Sequence, residues 1–268
     1  MYTLASEKIF NGALQICAPV VLPKIDWVWE EDLSSYSEDI RKQYAYDEDR
    51  HCWVLPEPAW QEWRSHGPYG DVDFSVTGSA VSAVLSQAEF ERIHLYDGQV
   101  KNRYMSIAEY FKAKAGEPLP LSEKEEGSDV FAVGHIEEES VRQLFAREYR
   151  KTYPEDEIRV INETHMFQSG KYNFMLCDPD GTVEITTDHD GERVTVKGLL
   201  ECKTVRYSSP DFAVWAADRV PWSYYVQTQF YMDVMDLPFG YICVKTGVGE
   251  VKFFYIEQIG RASCRERV

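Results

Sequence analysis

The chain has 268 residues, 44% of them hydrophobic, and a formal net charge of -17. That is enough for one large globular domain with a small addition, and the acidity argues against a surface generally adapted to phosphates, leaving positive charge confined to one channel. Six scattered cysteines with no Cys-x-x-Cys and no histidines at ligand spacing exclude zinc and iron-sulfur sites. The N-terminus carries no targeting signal and no apolar run nears the roughly 20 residues of a membrane span, so a cytoplasmic, reducing setting without structural disulfides or membrane is expected.

Residues 1–57 read as an N-terminal extension packed on the core through Trp27, Trp29 and Trp53, with a partner-binding arm as the alternative. The acidic blocks Glu30 to Asp49 and Glu117 to Asp129 read as solvated faces. From Pro58 the patterning sharpens. SVTGSAVSAVLSQAEF predicts a tight turn at Thr77-Gly78-Ser79 entering a helix with a buried stripe of Val81, Val84 and Leu85. Ser79 reads most simply as the helix cap and Arg64 as a surface residue, although amides at a helix start beside an arginine can hold a phosphate.

SIAEYFKAKAGEPLPL predicts a helix ended by glycine and proline. FAVGHIEEESVRQLFAREYRKTYP predicts another, with a stripe of Val141, Leu144, Phe145 and Tyr149. At about 100° per residue, Glu137 and Glu138 lie at the edge of that stripe and Glu139 points away. The commoner explanation for three glutamates at a helix start is that they complement the positive end of its dipole. Beyond Pro154 the period becomes that of strands, predicting an antiparallel meander of EIRVINETHMF, KYNFMLCD and TVEITTD, a turn at Asp190-Gly191, and a buried strand RVTVKGLLECKTV. A helix over about Pro221 to Asp236 carries Gln227 and Gln229 among aromatic residues, and FGYICVKT with EVKFFYIEQ predicts a closing strand pair. The tail 259–268, IGRASCRERV, turns abruptly basic and matches translated read-through into a sequencing adapter, so it reads as non-native.

The most informative stretch is DPDGTVEITTDHDGERVTVKGLLECK, Asp178 to Lys203. On a strand, Glu201 and Lys203 share a face while Leu200 and Cys202 point the other way. If Asp180 folds back beside them, two carboxylates and an ammonium form a site for a hard divalent cation and a water.

The order of these motifs resembles the PD-(D/E)xK nucleases, and in particular the lambda exonuclease and YqaJ-type viral recombinase family. The resemblance rests on Trp60 and Arg64, Thr77-Gly78-Ser79, Gly134 four residues before Glu138, Pro179-Asp180-Gly181, Glu201-Cys202-Lys203 and YYVQTQFYMDV. It implies an α/β PD-(D/E)xK domain over 58–258, with a mixed central sheet flanked by helices. It further implies a Mg²⁺-dependent exonuclease, with Mn²⁺ as the alternative ion, acting on duplex DNA ends from 5′ to 3′ in phage-type recombination. The partners implied are a single-strand annealing protein and a homo-oligomeric ring. Alternatives of other kinds are a RecB-type single-strand or flap nuclease and a non-catalytic DNA-end-binding module.

Carried over by position, the resemblance makes Asp180, Glu201, Glu138 and the main-chain carbonyl of Cys202 the metal ligands. Lys203 becomes the residue that orients and deprotonates water, which requires its pKa to be lowered. Gln227 becomes an active-site glutamine, and Arg64 with Ser79 holds the 5′-phosphate. Asp178 stands where the family carries a small hydroxyl residue, so its charge counts against a phosphate there. The chain also stops where the family continues into a final helix.

Overall fold

The computed structural model describes residues 45–47, 49–56, 76–85, 106–114, 130–163, 165–172, 174–189, 191–247 and 249–259. In chain order, β1 (Ala45–Asp47), β2 (Cys52–Pro56) and β3 (Val76–Thr77) precede helices α1 (Gly78–Val84), α2 (Ile107–Lys114) and α3 (Val130–Thr152). There follow β4 (Glu157–Ile161), β5 (His165–Ser169), β6 (Met175–Cys177), β7 (Gly181–His189) and β8 (Glu192–Val205). Helices α4 (Phe212–Ala216) and α5 (Trp222–Val234) lead into β9 (Phe239–Thr246) and β10 (Glu250–Glu257).

Two five-stranded sheets result, ordered β1-β2-β5-β6-β3 and β10-β9-β8-β7-β4. Each is mixed: β8 and β9 run parallel in the second, β3 and β6 in the first, and the remaining pairs are antiparallel. The α/β class with mixed sheets flanked by helices is as expected, and so is the β9–β10 pair.

The second sheet is covered on both faces, which is why β8 from Gly198 to Cys202 is buried without alternation. On one face α3 lays Val141, Phe145 and Tyr149, recurring at helical spacing, against Leu200, Cys202, Tyr241 and Cys243. On the other, Leu199, Val205, Ile242 and Val244 pack with Trp215, Met232 and Met235 beneath α4 and α5. Strand parity therefore sends the side chains of Glu201 and Lys203 to the α5 face.

Four expectations are corrected. EIRVINETHMF is two strands in different sheets: β4 pairs with β7, while β5 pairs with β2 and β6. The alternation of Ile158 and Val160 lapses at Ile161 and Asn162, but a lapse by itself does not show that the chain changes sheets between Ile161 and His165. Helix α3 begins at Val130 and has no acidic residue in its first turn, so Glu137, Glu138 and Glu139 lie about two turns inside it and do not complement its dipole. The residue capping α1 is Thr77, not Ser79. Helix α4, short and held by the buried Trp215, has no counterpart among the predicted elements. For α2 the start is set by a reciprocal cap, in which Glu109 N–H donates to Ser106 Oγ (3.2 Å) and Ser106 N–H to Glu109 Oε2 (2.6 Å).

The segment read as an extension enters the fold through β1 and β2, whose register sets Cys52 opposite Ser169 and Pro56 opposite His165. Residues 1–44 and 260–268, and with them Trp27 and Trp29, lie outside the described residues.

Candidate active site at the open edge of the central sheet

The site arises where β7 stops pairing with β8. Their register runs from His189 opposite Glu192 to Gly181 opposite Leu200. The next residues back along the chain are Asp180 and Pro179, and a proline has no N–H to continue a ladder. The amide of Cys202 would be left without its strand partner, and it donates instead to Asp180 Oδ2 at 2.7 Å. The turn sequence thus sets the carboxylate in place: Asp180 replaces a missing ladder bond. In a strand the N–H and C=O of one residue point to the same side, so the Cys202 carbonyl opens to this same edge.

Lys203 Nζ lies 2.8 Å from Glu201 Oε2 and 3.2 Å from Asp180 Oδ2, so the three residues singled out by the sequence meet. Above the amine is the ring of Tyr224, its centroid 5.5 Å away, and Trp215 stacks against Tyr224 at 5.8 Å and 23°. Glu201 is 1% exposed, and its Oε1 is buried with no hydrogen-bond partner. Burial pushes the Glu201 carboxyl up to about 8; Lys203 pulls it down, while Asp180 and, more weakly, Asp178 push it further up. Burial likewise acts to lower the pKa of Lys203, but the charges of Asp180 and Glu201 outweigh it and hold the ammonium well above its ordinary value. The lowering expected for Lys203 depends on bound cations; in the chain alone two acids face one amine and raise it.

The residues present suit a hard cation: a buried, unpartnered carboxylate oxygen beside a second carboxylate and a carbonyl edge is an all-oxygen donor set. Among the described residues no three His, Cys, Asp or Glu side chains are grouped closely enough to hold an ion, so Asp180 and Glu201 converge as a pair that Glu138 does not join. Glu138 is half-buried on α3; its neighbour Glu137 reaches Lys245 on β9 at 3.4 Å.

Helix α5 presents Tyr224, Gln227 and Tyr231 at spacings of three and four, a single helical face. Gln227 Nε2 donates to the Tyr231 hydroxyl at 3.2 Å. Burial holds the Tyr231 hydroxyl well above its ordinary pKa, and the charge of Glu201 raises it further. Gln229 faces elsewhere, accepting from Ile259 N–H at 2.9 Å and donating to Glu257 O at 2.7 Å. Thr77 and Leu176 are paired in the parallel strands β3 and β6, so the start of α1 and Asp178 leave the sheet at the same end. Gly78 belongs there because a Cβ would run into the ring of Tyr231. Ser79 lies in the first turn of α1, and Arg64 is outside the described residues.

Sequence reading missed Arg142, Tyr224 and Tyr231. The two tyrosines stand three residues before and four after Gln227, which the resemblance singled out, and were recoverable from that spacing. Arg142 was not, since it adjoins the apolar stripe of α3 as any solvated arginine might. It is 7% exposed and donates through Nη1 to Asp180 O at 2.7 Å.

No curated protein matches this sequence. Among solved structures, the chain is similar to an alkaline exonuclease (LHK-Exo) from Laribacter hongkongensis, at 13% identity over 74% of this chain and 82% of that one with a TM-score of 0.43. It is similar to LHK-Exo in complex with dAMP at 13% identity over 69% and 78%, TM-score 0.42, and to SSO0001 at 11% identity over 76% and 77%, TM-score 0.33. The family model described as the YqaJ-like viral recombinase domain matches residues 59–238, more than half of the chain. By that match, and with its Pro-Asp-Gly turn and Glu-x-Lys strand set side by side, the chain belongs to the YqaJ-like viral recombinase domain family.

Proposed function

We propose that this chain is a divalent-metal-dependent deoxyribonuclease that shortens duplex DNA from its ends, from 5′ to 3′ and with Mg²⁺, in phage-type recombination beside a single-strand annealing protein. The observation that carries the reading is the meeting of Asp180, Glu201 and Lys203, with Glu201 Oε1 buried and unpartnered. Membership of the family supports DNA processing as the class of activity. A bound divalent cation would supply Lewis acidity toward a phosphodiester oxygen and acidify a water.

The chain's own residues do the rest. Asp180, Glu201 and the Cys202 carbonyl offer the oxygen ligands, with Glu138 as the further carboxylate. Lys203, its amine beside both acids, is assigned to orient the attacking water and to offset charge as the phosphate becomes more negative. The Tyr224 ring restricts the amine on its remaining side. Gln227 donates toward the substrate strand from α5. Ser79 and Arg64 are assigned the 5′-phosphate, and the placement of α1 beside Asp178 supports the former. Asp178, exposed at that end, opposes a doubly charged phosphate.

The test is digestion of linear duplexes bearing 5′-phosphate or 5′-hydroxyl ends, with Mg²⁺ or with chelator. Shortening that requires Mg²⁺ and starts at 5′ ends is expected. No Mg²⁺-dependent shortening by folded protein would sink the enzyme reading, and equal rates on the two ends would retire the phosphate-holding role of Ser79 and Arg64 alone.

A further inference from the structure

The turn that presents Asp180 is held from behind by a buried charge. Arg142 Nη1 donates to the main-chain oxygen of Asp180 at 2.7 Å, while its Nε donates to Glu139 Oε2 at 3.1 Å and its Nη2 lies 3.0 Å from the same oxygen. Glu139 is oriented in turn by Gln143 Nε2 at 2.8 Å. Glycine at 181 is demanded by β4 and not by the arginine: a Cβ there would lie 2.7 Å from Ile161 O but only in ordinary contact, 3.5 Å, with Arg142 Cδ. One residue thus links helix α3 to a carboxylate 38 positions away in sequence. It lies one helical turn, four residues, after Glu138, and positions i and i+4 share a face about 5–6 Å apart.

We infer that Arg142 is a positioning residue for the metal centre, fixing Asp180 through its carbonyl from the face of α3 that carries Glu138 one turn earlier. The inference rests on the nuclease reading. A backbone carbonyl held by a guanidinium cannot rotate without breaking a charge-assisted bond in a largely dry setting, so the carboxylate of the same residue keeps its aim toward Cys202 N–H and Lys203. Metal sites depend on such supporting bonds as much as on their ligands.

The experiment is a Mn²⁺ titration read by electron paramagnetic resonance of free Mn²⁺, alongside digestion of linear duplex DNA. Loss of the guanidinium in Arg142→Gln is expected to weaken Mn²⁺ binding by about tenfold or more, the usual effect of removing a supporting partner. Arg142→Lys, which keeps a donor for the carbonyl, recovers part of the loss. The Glu138→Gln/Arg142→Gln double variant loses less than the product of the two single losses, because the two residues act on one geometry. Should Arg142→Gln fail to fold, Glu139→Gln decides: its side chain is 55% exposed, and it should weaken Mn²⁺ binding in the same direction by removing only the arginine's anchor. Folded variants that bind Mn²⁺ as the wild type does, or single losses that simply multiply, overturn the inference. Wild-type protein that neither binds Mn²⁺ nor shortens DNA overturns the nuclease reading with it, whereas a binding, cutting wild type beside unaltered Arg142 variants overturns this inference alone.

Discussion

Glu201 concentrates the electrostatic cost of the site in one residue: a buried carboxylate with one oxygen on Lys203 and the other on nothing. Its carboxyl is raised to about 8 from an ordinary 4.5, so between those values the folded chain binds more protons than the unfolded one. Stability of the ion-free protein is therefore expected to fall as pH rises from about 4.5 to about 8. Thermal unfolding across that range should show the slope, and Glu201→Gln should flatten it. Adding Mg²⁺ at pH 8 should raise the melting temperature of the wild type and not of that variant, since a ligand stabilises the state that binds it. Lys203→Met should lower Mg²⁺-dependent shortening by roughly 100-fold or more while circular dichroism stays native, because a positioned proton donor contributes on that order. These three residues were legible in the sequence because a turn and a strand impose their own side-chain directions. Arg142 was not, because which arginine is buried depends on surfaces meeting from distant segments.

At the scale of elements, the two glutamines of α5 divide their work. Gln227 turns toward Tyr231, and Gln229 brackets the end of β10 through Glu257 O and Ile259 N–H. Gln229→Ala should cost about 0.5–1.5 kcal/mol, the net contribution of a hydrogen bond to exposed backbone groups that water can replace. Hydrogen exchange should quicken at residues 257–259, with the site's affinity for Mg²⁺ unchanged. The Pro-Asp-Gly turn predicts the converse. Gly181→Ala sets a Cβ 2.7 Å from Ile161 O, so β4 or the turn must shift. The expected loss is about 1–3 kcal/mol in denaturant melts together with weaker Mg²⁺ binding. Helices and strands were readable where their periods were strong, as in α3 and β8. The place of the glutamates within α3 was not: Glu137 to Glu139 fall about two turns in from Val130 and not at the start.

For the whole molecule, the N-terminal segment completes a sheet and does not merely cover one. Arg50, in the turn between β1 and β2, lies 3.5 Å from Glu163, which also accepts from Thr182 Oγ1 at 2.7 Å, so the first sheet is tied to the start of β7 in the second. Deleting residues 1–56 removes that tie and uncovers the β5 edge beside the buried Met166 and Phe167. The shortened protein should elute as aggregates in size-exclusion chromatography, because an exposed apolar strand edge pairs with other chains. The sequence by itself determined the order of the candidate site residues, the α/β class and the helices around the site other than α4. Turn residues and side-chain alternation are local properties, and they act before any segment meets another. Only the tertiary structure decided that β4 and β5 part into different sheets, that Asp180 takes over the ladder bond of Cys202, and that a guanidinium from α3 supports the turn from behind. Each depends on strand register and helix docking, which are settled by burial across segments far apart in the chain.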